Sequence, residues 1–482
     1  MEFETVIGLE VHAQLSTKSK IFCSCSTEFG APPNTHVCPV CMGLPGVLPV
    51  LNEKVVDYAI RMGLATHCTI AEHSIFARKN YFYPDLPKGY QISQYEKPIC
   101  EHGYVDIEWD GHTKRIRITR IHMEEDAGKS VHAEEFVGAN ETLVDLNRCG
   151  VPLIEIVSEP DMRSPREAYL YLAALKQILE YLEISDCNME EGSLRCDANV
   201  SLRPVGSSEL GVKTEVKNMN SFHGVEKALE YEVARQLEIL SKGGKVTQQT
   251  MLWNAKEGKI VPMRSKEEAH DYRYFPEPDL VPLDVDRAWV EKIAAELPEL
   301  PLERKKRFVE QFQLPEYDAT VLTASKQLAD FYEAAAARYN DTKKLSNWVM
   351  GEVLRFLRDR KLDIQKTVLK PAHLADLLTL IDSGAINVKT AKRVFNEMAE
   401  TGEAPGKIVE KKGLSQVNDA SALESVVDGV ISAHPDEVAK YLAGKESLIG
   451  FFMGEVMKAT RGKANPKLVN QLLLQKLSER KA

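Results

Sequence analysis

The sequence predicts the α+β fold class: an amino-terminal mixed α/β domain built on antiparallel sheet, then an all-α helical domain and a small all-α tail. Up to about Val285, strand-like runs alternate with two amphipathic helices. Five prolines between residues 276 and 301 then interrupt every periodic pattern, which indicates a boundary. Beyond them, apolar residues recur at i, i+3 and i+4 with short connections, as in a helical bundle.

Two linkers divide the chain. We expect a first domain over residues 1–290 with an insertion at 23–41, a second over 291–402, and a tail over 406–482. The second linker is predicted from the string GEAPG at residues 402–406, because glycine and proline interrupt regular structure.

Helix start signals support these elements. Ser164, Pro165 and Glu167 form a capping box with proline at the first helical position. A second helix is predicted from about Ser221 to Gly243, where glycine ends it. Helical periodicity or a capping signal marks five later segments: 305–313, 323–339, 346–360, 371–381 and a last helix that begins at Asn465-Pro466.

Composition narrows the class of protein. Of 482 residues, 44% are hydrophobic and 27% charged, which is ordinary for a globular protein. No apolar run is long enough for a membrane helix and the start has no basic signal-peptide region, so we expect a cytoplasmic protein without membrane contact. A net charge of −10 excludes a uniformly basic surface. Residues 456–482 reverse this sign, with seven basic and one acidic residue.

Four of the nine cysteines lie in one short window, as Cys23-x-Cys25 and Cys38-x-x-Cys41. Two close pairs of thiolates can fold over one tetrahedral zinc ion. Disulfides are disfavoured in a cytosolic protein, and a redox Cys-x-x-Cys leaves the first pair unexplained. Since the four cysteines would fill all four positions, we expect a structural zinc ion.

Two strings place acidic residues where they can bind a hard cation. On the predicted first strand, Glu10 and His12 point the same way, although an exposed polar face is the commoner meaning of such a pair. The string HMEED at residues 122–126 is either a solvated turn or a set of oxygen ligands for Mg²⁺ with ATP phosphates. A phosphate-binding P-loop that ends at Gly128-Lys129-Ser130 is excluded, because Met123 stands where the motif requires glycine.

Two further strings concentrate functional groups. Residues 194–201 alternate strictly, so Arg195, Asp197, Asn199 and Ser201 share one strand face, which is either a site or a wet side of the sheet. Residues 78–90 interleave cations with aromatic rings. This pattern indicates either a loop that stacks on a base or ribose or a set of aromatic rings that anchors the core.

Six strings stand in this order along the chain: GLEVH at 8–12, RKNYFYPDLPKGYQISQ at 78–94, IHMEEDAGKS at 121–130, VDLNRCGVPLIEIV at 144–157, MEEGSLRCDANVSLR at 189–203 and DYRYFPEP at 271–278. Together they closely resemble the B-subunit family of bacterial aspartyl/glutamyl-tRNA amidotransferases, over essentially the whole chain. The archaeal E subunit carries an inserted domain for which this chain has no room, so the B type fits better.

The resemblance implies a fold and an activity. The first domain would be the family's cradle, and the tail would resemble the small YqeY-like family and bind tRNA. The implied activity is a ligase step that uses ATP to phosphorylate the side-chain carboxylate of Glu-tRNA(Gln) or Asp-tRNA(Asn). Ammonia then displaces the phosphate to give the amide, which is sound chemistry because an acyl phosphate has a good leaving group.

The resemblance also implies roles for individual residues. The catalytic pocket would consist of Glu10, His12, Glu124 and Glu125, with Mg²⁺ bound by Glu10, His12 and Glu125. Lys88 and Glu125 would also lie where an ammonia tunnel opens. Contacts to ATP or substrate are expected from Lys79, Lys88, Arg195, Asp197 and Lys217. The tail is expected to contact tRNA through Lys458, Arg461, Lys463 and Lys467.

The source of ammonia must lie outside this chain. The sequence has neither a Gly/Ser-rich amidase stretch nor a cysteine in a glutaminase context. The resemblance implies an amidase-type A subunit and a small C subunit that together with this chain form a heterotrimer.

Two other classes of protein remain as alternatives. One is a non-catalytic, zinc-stabilised RNA-binding protein whose acidic strings are solvated surface. The other is an independent ligase that joins a free acid to ammonia with ATP. Cleavage of ATP only in the presence of misacylated tRNA separates the amidotransferase from both.

Overall fold

The computed structural model describes residues 2–131, 141–263, 272–415, 420–460, 462 and 464–480. It divides into two compact units after Leu300. The first unit contains the sheets and the second is helical, which confirms the predicted α+β fold class. No helix in the described ranges combines the length and the apolar character that crossing a membrane requires.

The first unit contains the strands. They are β1 (Phe3–Gln14), β2 (Thr69–Ile70), β3 (His73–Ser74), β4 (Ala77–Asn80), β5 (Tyr90–Ser93), β6 (Cys100–Trp109), β7 (His112–Glu125), β8 (Lys129–Val131), β9 (Leu143–Asp145), β10 (Pro152–Ser158), β11 (Leu194–Pro204), β12 (Thr214–Lys217), β13 (Thr250–Asn254), β14 (Lys259–Pro262), β15 (Phe275–Pro276) and β16 (Leu283–Asp284).

Nine of these strands form the main sheet, in the order β14-β13-β12-β11-β1-β10-β7-β6-β2. Neighbouring strands are antiparallel except for β12 and β13. β1 therefore runs through the middle of the sheet, between β11 and β10. A smaller sheet of β15, β4 and β5 carries the loop that interleaves cations with aromatic rings.

Helices cover one face of the main sheet. The first unit has α1 (Glu53–Ala65), α2 (Pro165–Tyr181), α3 (Phe222–Ser241) and α4 (Arg287–Ala295). Their apolar residues pack with Ile7, Leu9 and Val11 of β1, which are fully buried, in one core. The intervening residues of β1 point to the opposite face and are polar or glycine. Gly8, Glu10 and His12 therefore lie on the face of the sheet opposite these helices.

The prediction of two helices up to about Val285 was wrong, because α1 is a third helix within that range. The unit's fourth helix, α4, begins just after it. Asn52 caps α1 by accepting a hydrogen bond from the backbone N–H of Lys54, and Asp286 caps α4 in the same way. Asn and Asp are ordinary N-cap residues, but the two helices were not predicted because the surrounding sequence was interpreted as strands and loops. The predicted helix starts at Ser164 and Ser221 are correct.

The second unit consists of helices. They are α5 (Pro301–Phe312), α6 (Glu316–Leu322), α7 (Lys326–Ala336), α8 (Thr342–Trp348), α9 (Leu354–Arg360), α10 (Pro371–Asp382), α11 (Val388–Thr401), α12 (Pro405–Lys411), α13 (Ala420–Ala433), α14 (Pro435–Leu442), α15 (Ile449–Ala459) and α16 (Pro466–Glu479). A π-helical segment, Val349–Val353, joins α8 to α9.

Two hydrophobic cores lie among the described residues of this unit. One includes residues from Phe308 to Val409, with Leu414 packed against it, and the other begins at Leu423. The predicted linker at 402–406 is a tight connection, in which Gly402 ends α11 with a φ of 71° and α12 follows at once. Since α12 packs in the earlier core, we place the change between cores after Leu414.

Candidate active site and metal centre

The polar face of the main sheet collects charged residues from several strands. Strand register places Glu10 opposite Asp197, and His12 between Arg195 on β11 and Glu155 on β10. Residues paired across neighbouring strands share a face. The predicted residues of β1 and β11 therefore form one continuous polar band.

A buried carboxylate and histidine cluster lies at the centre of this band. His12 Nε2 is 3.3 Å from a carboxylate oxygen of Glu155 and 3.6 Å from one of Glu124. His122 Nε2 is also 3.3 Å from Glu155. One ligand atom each from His12, Glu124 and Glu155 lie within 4.8 Å of one another. Two carboxylates and an imidazole at this spacing can bind a divalent cation.

Sequence reasoning missed Glu155. A signal was present, because Glu155 is the one charged residue in β10, an otherwise apolar or hydroxyl-bearing strand whose sequence is PLIEIVS. A carboxylate in such a buried strand requires a compensating partner. Here the partners are His12 and His122.

The cluster shifts the protonation of its members. Burial alone would lower the pKa of His12, but its hydrogen bond with Glu155 and the charges of Glu155 and Glu124 raise it to about 9. Burial alone would raise the pKa of Glu155, but the charge of His122 and hydrogen bonds from both histidines hold it well below its usual range. Without a metal ion, the cluster is therefore an ion pair between protonated His12 and ionised Glu155.

Glu10 lies at the edge of this cluster. Its Oε1 accepts a hydrogen bond of 3.0 Å from Asn199 Nδ2. Burial raises the pKa of Glu10, and the nearby charges of Glu155, Glu215 and Asp197 raise it further. Neighbouring ionised carboxylates repel one another, so each disfavours ionisation of the next. A bound cation would offset this repulsion, which is why such a group of carboxylates favours cation binding.

The predicted cation Lys217 is already paired with carboxylates. Its Nζ lies 2.6 Å from Asp197 and 2.9 Å from Glu215. Burial alone would lower the pKa of Lys217, but the charges of these two carboxylates raise it. Lys217 therefore orders Asp197 beside Glu10.

Arg195 is bound to the last carboxylate of the HMEED string, to which the family resemblance assigned no role. Its guanidinium is 3.1 Å from Asp126, which is buried and also accepts a 2.8 Å hydrogen bond from Gln14. Burial alone would raise the pKa of Asp126, but Arg195 and Arg148 lower it. Asp126 thus holds Arg195 beside His12.

Lys79 approaches the cluster from the smaller sheet. Its Nζ lies 4.9 Å from the ring centre of Tyr272 and 5.9 Å from that of Tyr81. Burial alone would lower the pKa of Lys79, but the charges of Glu124 and other anionic neighbours raise it. Lys79 is a cation placed between aromatic rings and facing the buried carboxylates.

Glu125 does not lie with Glu10 and His12, so the predicted magnesium set does not form one cluster. Glu125 pairs with Lys88 and accepts a 2.8 Å hydrogen bond from the backbone N–H of Ile92. Adjacent residues of a strand point to opposite faces, which is why Glu124 reaches His12 and Glu125 does not. Register between β10 and β7 opposes Glu124 to Leu153 and Glu125 to Pro152.

The Lys88 and Glu125 pair borders a cavity of about 190 Å³. Both side chains are almost fully buried, with 7% and 2% of their surface exposed. Cys23, Cys41 and Lys20 line the same cavity. The ion pair and the cysteine window are therefore neighbours in space.

The four predicted cysteine ligands come together. Sulfur atoms of Cys23, Cys25, Cys38 and Cys41 lie within 4.8 Å of one another. A hydrogen bond from Cys23 lowers the pKa of Cys41, and the backbone N–H of Cys38 and the charge of Lys20 act in the same direction. Four sulfur donors in a closed set fit a structural zinc ion. The nine cysteines, all within the described ranges, are free of disulfides.

The tail carries two of the predicted tRNA contacts on its surface. Lys458 is 78% exposed at the end of α15, and Lys467 is exposed in the first turn of α16. Arg461 and Lys463 lie outside the described residues. Lys476 turns inward to pair with Glu424 and Asp428. Part of the positive charge of the tail is therefore neutralised within it.

Fold and site together define a class: proteins whose largely antiparallel main sheet carries a buried carboxylate and histidine cluster, with a four-cysteine cluster in the same unit and helical modules later in the chain. Residues 5–291 match the family model described as the GatB/GatE catalytic domain, and residues 330–477 match the GatB domain.

Known proteins resemble the whole chain. It is 59% identical over 478 residues to the B subunit of the aspartyl/glutamyl-tRNA(Asn/Gln) amidotransferase from Carboxydothermus hydrogenoformans, covering 99% of each chain. The protein of the same name from Thermoanaerobacter pseudethanolicus is 58% identical over 479 residues, which are 99% of this chain and 100% of the relative. The chain belongs to the family of aspartyl/glutamyl-tRNA(Asn/Gln) amidotransferase B subunits.

Proposed function

We propose that this chain is the part of a tRNA-dependent amidotransferase that activates the side-chain carboxylate of Glu-tRNA(Gln) or Asp-tRNA(Asn) with ATP. The activated carboxyl group then reacts with ammonia to give Gln-tRNA(Gln) or Asn-tRNA(Asn). The observation that carries the proposal is the buried cluster of His12, Glu124 and Glu155 at the centre of the sheet, in a chain that belongs to this family.

We infer that this cluster, with Glu10 beside it, holds Mg²⁺. The oxygen donors of Glu124 and Glu155 suit a hard cation, and their spacing fits one ion. When bound, Mg²⁺ would neutralise charge on phosphate oxygens. Lys79 and Arg195 flank the cluster as fixed cations that can orient the phosphoryl group and the substrate carboxylate.

We infer that the nucleoside of ATP occupies a pocket of about 270 Å³ beside Glu10, lined by Gly8, Pro160 and Asn199 among others. Gly8 has no side chain, and a Cβ there would lie 3.7 Å from Pro160. Along β1, the four steps from Gly8 to His12 span roughly 13 Å. That span suits an extended nucleoside triphosphate whose phosphates end at the carboxylate cluster.

We infer that ammonia reaches the site through the cavity beside Lys88 and Glu125. This ion pair is buried next to the cysteine window, and Glu125 directly follows Glu124 of the carboxylate cluster on β7. An amidase-type A subunit would release the ammonia, and a small C subunit would join the two larger subunits in a heterotrimer. The zinc ion would stabilise the wall of this cavity, because Cys23 and Cys41 line it.

The test is the dependence of ATP cleavage on misacylated tRNA in the reconstituted heterotrimer. Glu-tRNA(Gln) and Asp-tRNA(Asn) are assayed separately, each with glutamine and with ammonium. We expect Glu124→Gln to reduce ATP cleavage by about 10²-fold or more, because it removes an ionised ligand of the proposed cation. Glutamine hydrolysis by the partner should remain.

Glu101→Gln is the matched control, because Glu101 is an exposed acid on β6 of the same sheet. Its rate should equal that of the unaltered complex. Cleavage of ATP with free glutamate and no tRNA would favour an independent ligase. Binding of tRNA without any ATP cleavage would favour a zinc-stabilised RNA-binding protein.

A further inference from the structure

Lys20 is a fully buried lysine beside the four cysteines, with 0% of its surface exposed. Its Nζ donates a 2.7 Å hydrogen bond to the carbonyl oxygen of His36 and lies 3.5 Å from that of Leu146. The same atom is 3.7 Å from Cys41 Sγ. Its contacts are therefore two neutral carbonyl groups and one thiol or thiolate.

No carboxylate of the described residues forms an ion pair with Lys20: the ion pairs between a lysine and an Asp or Glu all involve other lysines. A buried ammonium group without a counter-charge is strongly unfavourable. By contrast, the neighbouring buried lysine, Lys88, has Glu125 as its partner. The counter-charge of Lys20 must come from the cysteines.

The chemistry of a four-thiolate site supplies that charge. Four ionised thiolates around one divalent zinc ion leave a net charge of −2, and Cys41 is the ligand in contact with Lys20 Nζ. The backbone of Lys20 adds a second link, since its N–H donates a 3.0 Å hydrogen bond to the carbonyl oxygen of Cys25. Lys20 thus contacts both cysteine pairs of the window.

We propose that Lys20 is the buried counter-charge of a dianionic four-thiolate zinc centre and positions its second cysteine pair. The proposal rests on the zinc ion inferred above. It makes Lys20 part of the metal site, although it is not a ligand. It also ties the zinc centre to the segment around Leu146, because the same ammonium group contacts both.

The experiment compares the zinc affinity of full-length variants by competition with a chromogenic chelator. Lys20→Met removes the charge and keeps most of the side-chain volume. Lys20→Gln removes the charge and keeps N–H donors for the carbonyl oxygens. We expect both to weaken zinc binding by about 10–100-fold, as loss of an outer-shell partner does. Lys18→Met, an exposed position two residues away, is the control and should bind zinc normally.

A double-mutant cycle with Cys41→Ser separates a charge effect from a packing effect. If Lys20 acts on the Cys41 thiolate, Lys20→Met should weaken zinc binding far less in the Cys41→Ser background. A purely structural role would weaken binding equally in both backgrounds. Equal losses, or normal zinc affinity in the Met and Gln variants, would overturn the proposal.

Elemental analysis of the unaltered chain tests the zinc centre separately from the role of Lys20. Absence of zinc there would refute the zinc centre itself. Should the Lys20 variants fail to fold, the unaltered protein still provides a measurement. An amine-reactive acetylating reagent should modify Lys18 but not Lys20 while zinc is bound, and both once zinc is stripped. Equal modification of the two lysines in the zinc-bound protein would contradict a buried counter-charge.

Discussion

Glu124 and Glu125 are neighbours in sequence, but their side chains take part in different sites. Glu124 faces His12 in the carboxylate cluster, and Glu125 pairs with Lys88 beside the cavity. Each acid is almost fully buried, so each depends on its own partner for compensation. Two adjacent residues of β7 therefore belong to two different sites, the carboxylate and histidine cluster and the ion pair beside the cavity.

Removing Glu125 should leave Lys88 charged and unpaired in a buried position. We expect Glu125→Leu to destabilise the first unit by about 3–5 kcal/mol. The double variant Lys88→Met, Glu125→Leu should recover much of this loss, because two apolar groups need no compensation. Thermal unfolding of the full chain measures both. A double variant no more stable than the single would contradict the pairing.

His12 predicts a dependence of stability on pH in the metal-free protein. Folding raises its pKa from 6.5 to about 9, so the folded state holds the proton more tightly than the unfolded state. The stabilisation is complete below about pH 6.5 and is lost as pH rises through about 9. At 1.36 kcal/mol per pKa unit, this shift corresponds to about 3 kcal/mol.

Urea-induced unfolding of chelator-treated protein at several pH values tests this sign. His12→Gln should be less stable than the unaltered chain in neutral and mildly acid buffer, and the gap should close in alkaline buffer above the raised pKa. A gap that stayed constant, or that widened with increasing pH, would show that His12 is not held protonated by Glu155.

Strand β1 positions the site because its alternating residues point to opposite faces of the sheet: apolar residues face the helices, and the residues of the site face the other way. Ile7, Leu9 and Val11 are fully buried against the helices. Gly8 and His12 lie on the other face with Glu10, one in the pocket and one in the cluster. A shift of one residue in the register of β1 would exchange these two faces.

Gly8 gives a test of the nucleoside pocket. We expect Gly8→Val to raise the KM for ATP by roughly tenfold or more, because branched methyl groups would occupy the pocket volume. Glutamine hydrolysis and zinc content should be unchanged. Val is tolerated by strand backbone, so the fold should persist. An unaltered KM for ATP, measured in the reconstituted complex, would move the nucleoside elsewhere.

The chain as a whole combines an acidic total charge with a basic end. Because the net charge is −10, we expect tRNA to bind where the sign of the charge reverses locally. The exposed Lys458 and Lys467 lie on helices of the last hydrophobic core, which begins at Leu423. Since this core is separate from the core that ends near Leu414, we expect its loss to leave the rest of the chain folded.

Deletion of the tail from Ala420 onward should weaken tRNA binding and flatten its dependence on salt, because phosphate contacts release counterions. Glutamine hydrolysis in the complex should survive. Filter binding over a range of salt concentrations measures both quantities. Unchanged affinity and salt slope would move the tRNA site to the preceding helices.

A pair of point variants sharpens this test. Lys467→Gln should lower the salt slope by about one unit if this exposed lysine contacts phosphate. Lys476→Gln is the control, because the charge of Lys476 is already neutralised by Glu424 and Asp428. We therefore expect no contact between Lys476 and RNA phosphate. The effect of Lys476→Gln should be on the stability of the tail.

Local sequence pattern was enough for the fold class, the helix starts at Ser164, Ser221 and Asn465, the four-cysteine window and the family. These features depend on residues close together in the chain: cap and proline signals, periodicity, and ligand spacing. Glu10 and His12 were also placed on one strand face, and Arg195 and Asp197 on another, because alternation along a strand is readable without knowing its partners.

Tertiary structure alone decided which charges share a site. Glu155 joins His12 through the pairing of β1 with β10, two strands that lie far apart in the sequence. The separation of Glu125 from Glu124, and the burial of Lys20 against Cys41, depend likewise on which elements pack together. A site made by distant segments has no local pattern, because its energetics arise from burial and pairing that the chain acquires only when it folds.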